Sequence, residues 1–179
     1  MLTSAGASAH RYAARLIWDG NAGAGTSSYA AYGRGYRILV AGKPDLCGSA
    51  HPAFRGDAGY HDPEDLLLAA ASACHMLAYL ALCARAGVHV VAYEDRPEGI
   101  LTLEPGGGGR FTDILLRPVV TVADPAHTDR AADLHHAAHR SCFIANSCSV
   151  PIRHHPLIRT LDSICGKETT DAGSGDRPG

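Results

Sequence analysis

The sequence predicts an α+β fold with antiparallel sheets. Three β-rich segments come first, a long apolar helix follows, and then come further strands, a second helix and a last short strand. This order lacks the regular strand–helix alternation of a doubly wound parallel sheet. Neither GxGxxG nor GxxxxGKS/T occurs, and the glycine run at 106–109 is more typical of a hairpin loop than of a phosphate-binding loop.

The N-terminal third of the domain predicts an antiparallel meander. Residues 11–18, 26–32 and 36–40 are rich in β-forming side chains, and glycine-containing turns separate them. Residues 41–61 are irregular and contain glycines, prolines and Arg55. A loop of this length inside a domain is usually functional.

The long helix has clear start and stop signals. Asp62 is a good N-cap, Pro63 suits the first helical position, and Glu64 and Asp65 complement the positive end of the helix dipole. Gly87 provides the stop.

The centre of this helix is apolar enough to resemble a membrane span. Residues 66–84 contain no Asp, Glu, Lys or Arg. However, the segment is rich in alanine and carries Ser72, His75, Tyr79 and two cysteines. We therefore predict the buried central helix of a globular protein, with no membrane partner.

The second half of the chain predicts a hairpin, a helix and a strand. Residues 99–104 and 110–123 flank the glycine run, and Pro118 must lie at an edge or a bulge. A second helix begins at Asp124 and continues to about residue 141. A last short strand lies within 150–158. Four residues at helical spacing are predicted to face inward: Ala131, Leu134, Ala138 and Ser141.

Composition excludes some functions and suggests a compartment. The net charge is −2 and the basic residues are scattered, so we expect no nucleic-acid partner. The N-terminus lacks the pattern of a signal peptide, which predicts a cytoplasmic protein with reduced cysteines. We expect a flexible segment at 1–9, one domain at 10–162 and a disordered tail at 163–179.

Six cysteines are the main candidates for chemistry. Cys74 lies within the long helix, and Cys142 lies at the end of the second helix. Cys83 is nine residues after Cys74, on the opposite face of its helix, and is predicted to be a core residue. Cys148 is an alternative partner for Cys74, whereas Cys47 and Cys165 have no assigned role.

Three segments together resemble the OsmC/Ohr family. Residues 53–80 (AFRGDAGYHDPEDLLLAAASACHMLAYL) resemble its signature: a loop arginine, a Pro-Glu helix start and a small-residue run ending in cysteine. Residues 139–147 (HRSCFIANS) resemble its second cysteine motif, and the hairpin at 98–122 is also similar. The resemblance covers about residues 10–158.

The resemblance implies a thiol peroxidase that reduces organic, fatty-acid-type hydroperoxides to alcohols. Cys74 matches the peroxidatic cysteine and Cys142 the resolving cysteine. Arg55 matches the arginine that contacts the thiolate, and Glu64 the carboxylate that holds that arginine. The second motif departs from the family pattern, because Phe143 follows the cysteine where these peroxidases usually have proline.

The resemblance also implies an assembly and partners. Family members are similar in having sheets around two central helices in an intertwined homodimer. No bound cofactor is expected; an external dithiol, of lipoyl type for example, would reduce the disulfide. The candidate apolar walls of the site are Phe54, Leu67, Met76 and Phe143.

Two other functions stay open at the level of sequence. His135, His139 and Cys142 share one helical face and could contribute to a zinc site, although neither CxxC nor HExxH occurs. Histidines on an amphipathic helix are more often surface residues. A non-catalytic thiol sensor or small-molecule binder on the same fold is the third possibility.

Overall fold

The computed structural model describes residues 9–161. These residues fall into two units that divide between Leu66 and Leu67. Apart from Ala9, the predicted flexible N-terminus and disordered tail lie outside the described residues, as does Cys165.

The first unit contains a three-stranded antiparallel meander. Its strands are β1 (Arg15–Trp18), β2 (Tyr36–Leu39) and β3 (Leu46–Gly48), in the order β1-β2-β3. The meander was predicted, but its third strand lies inside the segment that we expected to be irregular. The short 3-10 helix Pro52–Phe54 follows β3.

The strand predicted at residues 26–32 is wrong, because this segment forms turns and bends. Arg34 lies over the rings of Tyr29 and Tyr32, 4.4 and 3.9 Å from their centroids. Its guanidinium also donates hydrogen bonds to the backbone carbonyls of both tyrosines. A side chain therefore satisfies carbonyl groups that a strand would pair with its neighbour.

Helix α1 (Pro63–Arg85) begins and ends as predicted. The Asp65 amide donates to Oδ1 of Asp62 at 2.9 Å, which confirms the cap. Gly87 has a φ of 71°, and the Val88 amide donates to the Cys83 carbonyl at 2.9 Å. Glycine suits this end of the helix because, without a Cβ, it adopts a positive φ at little cost.

The second unit contains two three-stranded sheets. One has the order β4 (Val90–Glu94), β7 (Val119–Val122), β9 (Leu157–Thr160), and the other has the order β5 (Glu98–Leu103), β6 (Gly109–Leu116), β8 (Ile152–His154). β5 and β6 form the predicted antiparallel hairpin. β4 and β7 are also antiparallel, whereas β8 pairs with β6 and β9 pairs with β7 in parallel. The α+β class is confirmed, but the sheets are mixed.

Pro118 explains why the strand predicted at 110–123 divides. It lies between β6 and β7, where its missing N–H is not needed, and its carbonyl accepts from the Leu157 amide at 2.8 Å. The two halves of the segment thus enter different sheets.

Helix α2 (Thr128–Ser141) follows the 3-10 helix Pro125–His127 and precedes the short α3 (Phe143–Ser147). Ala131, Leu134 and Ala138 are buried as predicted, but Ser141 is exposed. The side chain of His135 is fully buried, so the expectation of a surface histidine is wrong here.

Only one stripe of α1 is buried within this chain. It consists of Ala71, His75, Tyr79 and Cys83 at four-residue spacing. We predicted the buried central helix of a globular protein, and within this single chain the burial is confined to that stripe. Among the helices of residues 9–161, α1 is long and apolar enough to cross a membrane. Leu77, on another face, is 63% exposed.

Histidine rings form the centre of the packing around α1. Nε2 of His75 lies 3.0 Å from Nδ1 of His135, and the ring of Tyr79 stacks on His135. The ring of His154 lies 5.3 Å from that of His75 and 5.4 Å from that of His139. Burial, followed by the neighbouring histidines, lowers the pKa of His75 to about 4, of His135 to about 3 and of His154 to about 4. We call His75, His135, His139 and His154 the histidine cluster.

The cluster predicts that acid destabilises the fold. A histidine with a lowered folded-state pKa stays neutral while the unfolded chain takes up a proton below about pH 6.5. The free energy of unfolding should therefore fall from pH 6.5 to about 4. His154→Gln, which cannot titrate, should remove about 1–3 kcal/mol of that fall, measured by urea unfolding at several pH values.

The exposed His89 provides the matched control. His89→Gln should keep the wild-type dependence on pH. An unchanged slope in His154→Gln would show that His154 is already protonated in the folded protein.

Candidate thiol site

Cys74 lies on α1, between the buried positions Ala71 and His75, and is half-buried. It opens onto a groove of about 480 Å³. The lining residues of this groove are Cys74, Leu77, Ala78, Ala81, Leu82, Arg85, Ser141 and Phe143. The first candidate cysteine is therefore accessible to a small molecule, and the walls beside it are apolar.

Cys142 lies at the junction of α2 and α3 and is only 1% exposed. Its backbone is extended, and its amide donates to the His139 carbonyl at 3.2 Å. Its Sγ accepts from the Ala145 amide at 3.4 Å and so caps α3. Phe143 occupies the first position of α3, where proline would also be tolerated, and is 79% exposed.

The thiols of Cys74 and Cys142 lie close enough to interact. Burial raises the pKa of Cys142 to about 11, and its interaction with the neighbouring Cys74 thiol adds to the rise. Both cysteines are free thiols in the structure. Cys142 is thus a protonated, water-shielded thiol at neutral pH, whereas Cys74 is the member of the pair that an incoming molecule can reach.

Arg55 belongs to the first unit, where it ends the helix Pro52–Phe54 in a left-handed conformation with a φ of 64°. It lines a 320 Å³ cavity with Asp57 and Tyr60. A non-glycine residue in the left-handed region is uncommon, so the surrounding structure must hold Arg55 in this conformation.

Glu64 lies in the first turn of α1 and is half-buried. Within residues 9–161, neither Glu64 nor Arg55 forms an ion pair or a side-chain hydrogen bond in this single chain. Their predicted pairing therefore stays a prediction. Ten residues separate Glu64 from Cys74, about 15 Å along the helix.

The described residues contain no ligand set for the zinc site that the sequence left open. No three His, Cys, Asp or Glu side chains of residues 9–161 are placed to hold a metal ion. His135 points into the core against His75 instead of sharing an open face with Cys142.

The other cysteines and the predicted wall residues do not all lie near Cys74. Cys83 is buried in the core as predicted, and Cys47 is exposed on β3. Cys148 and Leu67 line a separate cavity of about 610 Å³. Among the predicted wall residues, Phe143 lines the groove beside Cys74.

Sequence reasoning missed Arg85 at the other end of the groove. A signal was present, because Arg85 follows Cys74 by eleven residues on the same helix. Eleven residues are about three helical turns, which places the two side chains on one face.

The family model described as OsmC-like protein matches residues 56–155, more than half of the chain. An OsmC-like protein of unknown function from Vibrio cholerae has a TM-score of 0.71 and 26% identity, over 83% of this chain and 100% of that one.

Two organic hydroperoxide resistance proteins have the same fold at 16% identity. The protein from Elizabethkingia anophelis has a TM-score of 0.63, over 86% of this chain and 98% of its own. The protein from Legionella pneumophila has a TM-score of 0.62, over 86% and 99%. None of the curated proteins compared with the chain matches it. The family match and the shared fold confirm the resemblance seen in the sequence, and the chain belongs to the OsmC-like protein family.

Proposed function

We propose that the chain is a cysteine-based peroxidase that reduces organic hydroperoxides to alcohols. The observation that carries the proposal is the pairing of half-buried Cys74 with buried Cys142 at the end of an apolar groove. The organic hydroperoxide resistance proteins of the same fold agree with it at the level of the family. An apolar groove favours organic hydroperoxides over hydrogen peroxide.

The chemistry uses both thiols in turn. The Cys74 thiolate attacks the terminal peroxide oxygen, the O–O bond breaks, and the alkoxide leaves as an alcohol after taking a proton. Cys74 becomes a sulfenic acid. Cys142 then forms a disulfide with it and releases water. The burial of Cys142 suits this second role, because a protonated, shielded thiol does not compete for peroxide.

An external dithiol, of lipoyl type for example, would restore the two thiols by exchange through a mixed disulfide. The half-buried Cys74 is the sulfur such a reductant can reach. The cycle needs no bound cofactor, and the reducing cytoplasm is the compartment that we propose for it.

We also propose an intertwined homodimer in which Arg55 and Glu64 serve the thiol of the partner subunit. Both side chains lack a partner in the described part of the single chain, and α1 exposes apolar surface such as Leu77. A guanidinium beside the thiolate would stabilise it and polarise the peroxide, and a carboxylate would orient that guanidinium.

One equivalent of cumene hydroperoxide should consume two thiols per chain in the reduced protein. Cys74→Ser should lose none, because it lacks the sulfur that attacks peroxide. Cys142→Ser should lose one and hold a sulfenic acid that dimedone traps. Thiol titration after quenching, with mass spectrometry, measures all three.

Cys47→Ser is the control, since Cys47 is exposed and far along the chain from both motifs. It should still lose two thiols. Wild-type protein that keeps all its thiols with cumene hydroperoxide would contradict the peroxidase and favour a binding protein.

Arg55→Gln should lower the second-order rate constant for cumene hydroperoxide at pH 7 by roughly 10–100-fold, since it removes the positive charge that favours the thiolate. Stopped-flow kinetics measures this change. Arg96→Gln, at an arginine that is exposed and paired only with Glu94, should keep the wild-type rate. Equal rates in all three proteins would remove Arg55 from the site.

Mixed dimers test whether the site crosses the subunits. The protein should sediment as a dimer. A hybrid of one Cys74→Ser subunit and one Arg55→Gln subunit should regain one working site, because the intact Cys74 then meets the intact Arg55 of the other chain. A fully active monomer, or a hybrid as slow as its parents, would refute the shared site.

A further inference from the structure

The histidine cluster joins three elements of one chain. His75 comes from α1, His135 and His139 from α2, and His154 from β8. His75 and His135 are completely buried, and their facing nitrogens are 3.0 Å apart. The ring of His154 lies 6.1 Å from that of His135, in addition to its contacts with His75 and His139. Contacts between imidazole rings therefore hold α1 against α2 and β8.

No carboxylate of residues 9–161 forms an ion pair with the histidine cluster. The titratable side chains around it are Tyr79 of α1, Tyr93 of β4, His136 of α2 and His155, which follows β8. β7 and β9 contribute apolar side chains to the same core. One buried ring nitrogen of each cluster histidine also has no hydrogen-bond partner in this part of the chain. A proton bound here would thus add a charge without a counter-ion, which is costly in a buried site.

Both candidate thiols lie next to members of the cluster along the chain. Cys74 directly precedes His75 on α1. Cys142 follows His139 by three residues, and its amide donates to the His139 carbonyl at 3.2 Å. The two thiols interact across the contact between α1 and the end of α2. A displacement of α1 relative to α2 at the cluster therefore changes the distance between the thiols.

We propose that the histidine cluster positions Cys74 beside Cys142 and that its protonation separates them, so that acid disfavours the disulfide. While both rings are neutral, one imidazole of the His75–His135 pair donates and the other accepts. When both are protonated, each facing nitrogen carries a proton, so the hydrogen bond is lost and the two charges repel.

The cluster histidines are positioning residues, because they act through the packing of the helices and not on a substrate. The inference goes beyond the proposed function. In the proposed peroxidase, its consequence is that acid leaves Cys74 as a sulfenic acid that is open to further oxidation.

The test is the equilibrium of the reduced protein with oxidised dithiothreitol at about pH 6.5 and about pH 4.5, with a selenol as exchange catalyst. Cys74 and Cys142 lose two electrons and two protons, which dithiothreitol gains. No net proton is exchanged, so the equilibrium constant depends on pH only if the dithiol protein binds extra protons elsewhere. The wild type should shift towards the dithiol by about 5–10-fold at the lower pH, since each extra proton contributes up to about tenfold per pH unit.

His154→Gln removes a ring that contacts histidines of both helices and should reduce the shift to about twofold or less. His89→Gln, at an exposed histidine outside the cluster, should keep the wild-type shift. Near-UV circular dichroism selects the lowest pH at which both forms are folded, because unfolding of the dithiol form would also favour it. The inference is overturned by a wild-type constant that does not change with pH, by an equal shift in His154→Gln, or by failure of Cys74 and Cys142 to form a disulfide.

NMR titration of the wild-type histidines gives a second measurement if His154→Gln does not fold. Linkage is reciprocal, so the disulfide must lower the pKa of at least one cluster histidine if protonation disfavours the disulfide. Identical titration of the cluster in the dithiol and disulfide forms would refute the coupling. Neither measurement involves a peroxide. A wild type that consumes no cumene hydroperoxide would therefore fail as a peroxidase and leave both measurements unaffected.

Discussion

The packing of α1 against α2 is the constraint on which the rest of the site depends. His75 and Tyr79 of α1 meet His135 in the core, and the Tyr79 hydroxyl donates to the Ala131 carbonyl at 3.1 Å. Because one stripe of α1 is held there, the neighbouring Cys74 is turned to the edge of the contact. The junction after α2 brings Cys142 to the same edge. The contact between the imidazole nitrogens of His75 and His135 is directional, so it adds a geometric requirement to the apolar packing of the two helices.

The break between α2 and α3 gives the two thiols different environments. Cys142 is extended between two helices, accepts an amide hydrogen bond and is shielded from water. Cys74 lies within a continuous helix whose outer face is open to the groove. Residues of one chemical type thus become an accessible thiol and a protected one, and burial penalises the thiolate of Cys142.

Local signals predicted the helices well and the sheets less well. Asp62, Pro63 and Gly87 act on backbone groups within a few residues, so they define α1 without knowledge of the rest of the chain. The segment 26–32 has β-forming side chains but forms turns, because the guanidinium of Arg34 binds its carbonyls. The parallel addition of β8 and β9 depends on partners about 40 residues away in sequence, which local patterns do not reveal.

The sequence by itself determined the two helices, the order of the two cysteine motifs and the family resemblance, since capping and short motifs are local properties. Only the tertiary structure decided which cysteines meet and that Cys148 lies in a different cavity. It also decided that His135 is buried against His75, and that Cys74 and Arg85 end one groove. These outcomes follow from how separate elements pack, and burial and proximity between distant segments exist only in the folded chain.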